Sequence, residues 1–322
     1  MQKISVIIPT YNRSHLIHLT LNSFLKQSYP DNLYEIIVCD NNSTDSTREV
    51  VKKIENDNPG KIRYIFEPRQ GVHYARNTAA KESTADILYF TDDDMLADTN
   101  LLMEIVVPFN FDEKVASVTG RVLPNWEETP PEWIVDLCSN ALLSLNDPQE
   151  DFIISRNDCN VFSCHQAIKR EVFFESGGFN PENTAGEWVG DGETGLNIKI
   201  KKNGYKFGFN GRSIIHHIIP QSRMTQSYLN GRLANQGNCD SYTMYREEVF
   251  SNLQLLKQIS KNIMLFFVVL LISIGMFSVG KNKYRLWFSR SFYFVRRVKY
   301  DCRLFYSSEW RAFVMKNDWL SE

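Results

Sequence analysis

Short β-branched runs alternate with stretches of helical periodicity through the first hundred residues. This alternation restricts the fold more than any other feature. "ISVIIPT" (4–10) is a continuous apolar run, the pattern of a strand buried on both faces. "RSHLIHLTLNSFLKQ" (13–27) spaces Leu16, Leu19 and Phe24 as a helix does, with Ser14 placed as its cap. Strands then follow at 34–40, 62–68 and 85–94, with helices at 43–56 and 71–83 between them. Strand–helix repeats at this spacing require right-handed crossovers and a parallel sheet. Such sheets take ligands beyond the carboxyl ends of their strands. Three of those ends are polar: Thr10 to Asn12, Asp40 to Asn42, and Asp92 to Asp94.

From 108 to 160 the pattern breaks up, and "PNWEETPPEW" (124–133) reads as a loop and short helix that either lines a pocket or makes an ordinary surface excursion. "KREVFFESGGFNPE" (169–182) predicts a short helix ended by a double glycine. An acidic turn, "GDGETG", leads into a helix that Gly204 ends, then a strand to about Ile215. A polar, basic segment follows to 237, helical after Pro220. The organisation expected is a 1–237 domain, with a nucleotide-binding half to about 107 and an acceptor half from 108, and a helical region at 238–322.

That last region holds "IMLFFVVLLISIGMFSVG" (263–280), which carries no charge and is about long enough to cross a bilayer. "YRLWFSRSFYFVRRVKY" (284–300) then mixes aromatics with arginines, as interfacial helices do. Basic residues there favour the cytoplasmic side. The N-terminus does not read as a signal peptide. The expected location is the cytoplasmic side of the cell membrane, as a peripheral, re-entrant or single-pass protein; a monotopic arrangement keeps both the tail and the first domain on that side. Formal net charge is −2, so no basic field argues for nucleic acid. Six scattered cysteines without a CxxC pair read as reduced thiols.

Adjacent carboxylates repel, and a divalent cation, Mg2+ or Mn2+, relieves that repulsion with oxygen ligands. In an extended segment Asp92 and Asp94 point the same way and can share one site, with Asp93 directed elsewhere. Asp94 then serves the metal, and Asp92 the metal or a ribose. Asp40 can accept the imide N–H of a uracil, or cap the helix after it. Arg76 suits a phosphate or a surface ion pair. Asp191 and Glu193 lie between glycines that let the backbone approach a ligand. A carboxylate there can deprotonate an attacking hydroxyl, or simply complement a helix N-terminus. His216 or His217 can complete a metal shell, and Arg223 and Arg232 follow on a segment able to fold over a diphosphate.

Taken in order, "SVIIPTYNR", "EIIVCDNNSTDST", "GVHYARNTAAKES", "ILYFTDDD", "SGGFNPE", "GDGETGLNIKIKKNGYKFGF" and "HHIIPQSRMT" resemble the family 2 glycosyltransferases. The resemblance covers roughly residues 3–237 and implies a GT-A fold, an α/β architecture with a mostly parallel central sheet, to which the C-terminal helices are appended. It implies metal-dependent, inverting transfer from a nucleoside-diphosphate sugar, of the UDP type, to a saccharide or lipid-linked acceptor in cell-surface polysaccharide synthesis. It places Pro9, Thr10, Tyr11, Arg13, Asp40, Arg76, Asp92 and Asp93 at the nucleotide sugar, and Asp94, Asp92 and His217 at the metal. His217 is preferred over His216 because it keeps the H-x-I-P spacing to Pro220. The family carries an acidic pair, Glu-Asp, before Glu-Leu at the base position. Aligned on Leu196, Glu193 takes the base position here and its predecessor is Gly192, so Glu193 is the expected base and Asp191 the runner-up.

A dehydrogenase would show G-x-G-x-x-G after its first strand, where this chain has "PTYNRSH". An EF-hand fails on its loop offsets. The remaining alternative is a catalytically inactive, membrane-attached scaffold that binds a nucleotide sugar.

Overall fold

The computed structural model describes residues 1–138, 141–157 and 159–321. Its first half follows the alternation: β1 (Ile4–Thr10), α1 (Ile17–Phe24), β2 (Tyr34–Asp40), α2 (Thr47–Asp57), β3 (Ile62–Phe66), α3 (Val72–Glu82) and β4 (Ile87–Thr91). Every residue of β1 is buried, because it lies between β2 and β4 with helices over both faces. Its side chains alternate between two cores. Ile4, Val6 and Ile8 join Ile17, Leu21 and Phe24 of α1, while Ile7 joins Ala75 and Ala79 of α3.

The chain continues through β5 (Met95–Ala97), α4 (Leu101–Ile105), β6 (Val115–Trp126), α5 (Glu132–Cys138), β7 (Phe152–Ser155), β8 (His165–Lys169) and α6 (Arg170–Glu175). Next come the short pair β9 (Asn183–Thr184) and β10 (Glu187–Trp188), then α7 (Gly192–Lys202) and β11 (Lys206–Ile219). The main sheet runs β3-β2-β1-β4-β8-β6-β11-β5, with β7 also on β11. The strands from β3 to β4 are parallel, whereas β8 is antiparallel to both its neighbours. The sheet is therefore mixed: β6 and β11 pair in parallel as well, but the parallel block β3-β2-β1-β4 is the half whose periodicity is clean.

Three sequence expectations are corrected here. Ser14 does not cap α1: Leu16 is the N-cap residue, and the Ser14 N–H donates to Asp45 Oδ2 at 3.2 Å. The 108–160 stretch is not irregular, since it contains the twelve-residue β6 between β8 and β11. Finally, residues 124–133 split between the end of β6, a loop and the start of α5, and none of them lines the main cavity.

The C-terminal part is four helices: α8 (Gln226–Glu247), α9 (Asn252–Ser278), α10 (Tyr284–Tyr306) and α11 (Ser308–Val314). Helix α8 is continuous across residue 237. Helix α10 lies along it, with Tyr293 OH donating to Asp240 Oδ2 at 2.6 Å and Gln226 Nε2 donating to Ser289 Oγ at 2.7 Å. Gly237 permits this approach, because a Cβ there would meet Tyr293 O at 2.3 Å. Helix α9 packs on α10 through one stripe, Leu255, Asn262, Val269 and Ser273. Asn262 Nδ2 donates to buried Asp301 Oδ2 at 3.0 Å. From Ile263 onward the rest of α9 is apolar and mostly bare, with Lys257 and Lys261 exposed before it. Its mean hydropathy reaches 2.1 over eighteen residues, of which 17% are buried.

Candidate active site

The strand ends of the parallel half open into one cavity of about 830 Å³. Thr10, Tyr11 and Arg13 reach it from the turn after β1, Asn41 and Asn42 from the turn after β2, and Arg76 from α3. Asp92, Asp93 and Asp94 line it from the β4–β5 turn, and Glu193 lines it from the first turn of α7. Arg223 and Arg232 line it as well.

All three aspartates face this space, because 92–94 forms a turn and not an extended strand. The expectation that Asp93 points elsewhere is thereby corrected. Each acid has its own cation: Asp92 pairs with Arg76, Asp93 lies 3.6 Å from Arg13 Nε, and Asp94 accepts from Arg223 Nη2 at 2.8 Å. Thr10 Oγ1 also donates to Asp93 Oδ2 at 2.7 Å. Burial, then the charge of Asp94, pushes the Asp93 carboxyl up to about 7. Burial acts upward on Asp94 too, but the charges of Arg223 and Arg13 outweigh it. Asp94 is held below the usual carboxylate range and keeps its charge.

Strand register sets the next contact. β5 pairs antiparallel with β11, Met95 opposite His217, and the Ile218 N–H donates to Asp94 O at 2.9 Å. His217 Nε2 consequently lies 3.7 Å from Asp94 Oδ2. Its Nδ1 is 2.8 Å from Leu143 O, an acceptor only, so Nδ1 carries the ring proton and Nε2 the lone pair. That tautomer is the one a metal ligand needs. His216, its neighbour on the strand, instead faces Asp98 outside the cavity. Arg223 Nη1 also contacts His217 Nε2, so one guanidinium bridges Asp94 and His217. A carboxylate and an imidazole lone pair that already share one cationic group are ligand types that suit a divalent cation.

Glu193 accepts a hydrogen bond from Ser163 Oγ at 2.6 Å, and its carboxyl is raised, first by burial and then by the charge of Glu182. Asp191 is buried away from the cavity and saturated: Asn180 Nδ2 donates to Oδ1 at 2.7 Å and Thr243 Oγ1 to Oδ2 at 2.8 Å. Gly195 makes room for it, since a Cβ there would lie 2.2 Å from Asp191 Oδ1. Pro9 and Asp40 do not line the cavity either. Pro9 is in the β1–β2 ladder region, and Asp40 accepts from the Ser43 N–H at 2.9 Å and from Tyr64 OH at 2.8 Å.

Several residues at the cavity or just behind its wall had no sequence signal of their own. Ser163 comes from the stretch that looked irregular. His73 and Glu182 stood inside matched segments without a role, yet His73 Nε2 is 2.8 Å from Glu182 Oε2. With Glu193 they place three ligand-type atoms within 4.8 Å of one another. Burial, and then the charge of Arg76, lowers the His73 imidazole to about 3, so it is neutral.

The profile of glycosyl transferase family 2 matches residues 5–176, more than half of the chain and most of this cavity. The chain belongs to glycosyl transferase family 2. Among curated relatives of this family 2 chain, the poly(ribitol-phosphate) beta-N-acetylglucosaminyltransferase TarS of Staphylococcus aureus is 32% identical over 140 residues, 41% of this chain and 24% of its own. The glycosyltransferase AglE of Haloferax volcanii is 38% identical over 91 residues, 28% of this chain and 30% of its own. A Campylobacter jejuni protein, GalNAc(5)-diNAcBac-PP-undecaprenol beta-1,3-glucosyltransferase, is 35% identical over 96 residues, 29% of this chain and 30% of its own. The matched region thus spans less than a third of each of these relatives. Among solved structures, the mannosyltransferase PcManGT of Pyrobaculum calidifontis, in complex with GDP-Man and Mn2+, superposes with a TM-score of 0.62 at 20% identity. That likeness covers 94% of this chain and 87% of the other. GalNAc-T7 with UDP, GalNAc and Mn2+ gives a TM-score of 0.54 at 21% identity, covering 69% of this chain and 44% of the other. These likenesses show the GT-A fold.

Proposed function

We propose that this family 2 chain is an inverting, metal-dependent glycosyltransferase. Its donor is a nucleoside-diphosphate sugar, of the UDP type. Its acceptor is a hydroxyl of a saccharide or lipid-linked saccharide in cell-surface polysaccharide synthesis. The observation that carries the reading is that Asp92–Asp94 and Glu193, a hundred residues apart in sequence, open into one cavity. In this reading the donor half is 1–107 and the acceptor half 108–237, with His217 and Arg223 reaching the donor's diphosphate from the second half.

In this reading the turns at 10–13 and 41–44 hold the nucleotide, with Arg13 and Arg76 supplying positive charge. Asp94 and His217, with Asp92, would hold Mg2+ or Mn2+, which would supply positive charge to the leaving diphosphate. Arg223, displaced from those donors by the metal, would offer a guanidinium that suits phosphate oxygens. Glu193 takes the proton of the acceptor hydroxyl as that oxygen attacks the anomeric carbon opposite the diphosphate. Its raised carboxyl is a better proton acceptor than an exposed glutamate. TarS acts on a poly(ribitol phosphate) and the Campylobacter relative on an undecaprenol-linked saccharide, which supports this acceptor class. A panel of nucleotide sugars, assayed with Mn2+ and again with chelator, tests the reading. Hydrolysis or transfer of one donor that vanishes with chelator is expected; no turnover of any donor would leave only the scaffold.

The C-terminal helices support attachment to the cytoplasmic face, flat in the leaflet. Helix α10 is fastened to α8, and α9 to α10, so a perpendicular α9 would carry Arg290, Arg296, Arg297 and Lys299 of α10 into hydrocarbon. Lying in plane, α9 instead presents Met264, Phe267, Leu271, Ile274 and Phe277 to lipid and leaves those cations at head-group level. Burying one such side chain contributes roughly 1.5–3 kcal/mol. Changing Phe267, Leu271 and Ile274 together to Ser is therefore expected to abolish flotation with anionic liposomes while donor hydrolysis continues. Undiminished flotation, or labels at the two ends of α9 on opposite sides of the bilayer, would defeat the in-plane arrangement.

A further inference from the structure

Glu182 has no part in the chemistry just described, yet it lines the same cavity and its side chain is 17% exposed. Its position is built. The Glu182 carbonyl accepts the Val189 N–H at 2.7 Å, closing the loop that carries β9 and β10. Its carboxylate Oε2 meets His73 Nε2 at 2.8 Å. His73 is 1% exposed and stacks on Phe179 with ring centroids 4.6 Å apart. Arg76 Nη1 lies 3.3 Å from His73 Nδ1 and can only donate, so Nδ1 holds the lone pair and Nε2 the proton. The proton on Nε2 is given to Glu182.

Two consequences follow from this tautomer. The ring nitrogen nearest the two glutamates is protonated and the other faces a guanidinium, so His73, Glu182 and Glu193 do not form a cation site even though their ligand atoms are close. Glu182 Oε2 is committed to His73, which leaves Oε1 for a ligand in the cavity. Gly192 is what admits the pair beside the base. At φ +50° it has no Cβ, and one placed there would lie 2.4 Å from His73 Nε2 and 3.0 Å from Glu182 Oε2. The position where the resembled family carries an acid is thus vacated, and a carboxylate from the preceding loop occupies the space beside it.

We propose that Glu182 binds the acceptor: its carboxylate accepts a hydrogen bond from a second hydroxyl of the acceptor sugar and so holds the reacting hydroxyl against Glu193. This deepens the glycosyltransferase reading and rests on it. The charge of Glu182 also helps to keep Glu193 a competent base. A sugar acceptor needs this second contact, whereas water attacking the same donor does not. The partition between transfer and hydrolysis therefore isolates it.

The test compares Glu182→Gln with wild type, using the nucleotide sugar that the wild type turns over and a panel of methyl glycosides as acceptors. The ratio of transfer to hydrolysis is expected to fall about tenfold or more, the size of one charge-assisted hydrogen bond. Affinity for the nucleoside diphosphate with Mn2+ is expected to stay within about twofold, because Glu182 touches no donor-binding group. The ratio is independent of how much of the variant folds. An unchanged ratio in the variant, or weakened nucleotide binding, overturns the role of Glu182. So does a wild type that hydrolyses its donor but uses none of the glycosides. A wild type that turns over no nucleotide sugar sinks the glycosyltransferase reading itself.

Discussion

The Glu193→Gln variant loses sugar transfer by about 10²–10⁴-fold, the contribution of a positioned general base, and binds its nucleotide as wild type does. Gln keeps the shape and the Ser163 contact but cannot take a proton. The carboxyl of Glu193 is raised by burial first and by Glu182 second, and it acts deprotonated. Wild-type transfer is therefore expected to fall as pH drops through a value above about 4.3, the ordinary glutamate value. The sign for stability is opposite to that for activity. A carboxyl whose folded pKa is raised stabilises the fold below its unfolded pKa, and this contribution is lost as pH rises through the folded pKa. At neutral pH the charged form works against folding, so the neutral Gln is expected to melt no lower than wild type. A variant inactive and equally stable separates a chemical role from a structural one. A variant that transfers sugar at the wild-type rate removes Glu193 from the mechanism.

The Asp94→Asn variant is expected to lose both turnover and metal-dependent nucleotide binding. A divalent cation at a leaving diphosphate contributes several kcal/mol, so a fall of about a hundredfold or more in turnover is expected. Asp94 is buried, and its Oδ2 is the atom nearest both His217 and Arg223. Losing its charge leaves the mostly buried Arg223 with a neutral partner, a destabilisation on the order of 1–3 kcal/mol. Thermal melting alongside the binding measurement separates that loss from the loss of metal. Nucleotide affinity that is unchanged, and equally sensitive to Mn2+, would place the metal elsewhere.

Where one face or both of a strand is covered by a regular helix, the sequence announced the element, as at β1 and β4. Strand β6 was hidden because "VASVTGRVLPNW" mixes Thr, Gly, Arg and Pro into a run with neither period. Its strand character comes from β8 and β11 on its two sides, a tertiary cause. The acids at 92–94 were legible from their place after an apolar run, but not their directions, since a turn abolishes the period-two rule. The choice of His217 over His216 followed a four-residue spacing, and the β5–β11 register supplies the physical reason for their different surroundings. Glu193 ranks over Asp191 only through the family resemblance, by alignment on Leu196. Their tertiary partners supply the physical distinction: Asn180 and Thr243 enclose Asp191, while the cavity receives Glu193. Ser163, His73 and Glu182 gather from three distant segments, and no local pattern encodes such a meeting.

The most direct test of the shared cleft is a pair of binding isotherms, nucleoside diphosphate with and without Mn2+, on Asp94→Asn and Glu193→Gln, read against donor turnover by each. One catalytic centre with two separate duties predicts that Asp94→Asn loses the Mn2+-dependent binding, while Glu193→Gln keeps it and still fails to turn over. Normal turnover by either variant would contradict the account.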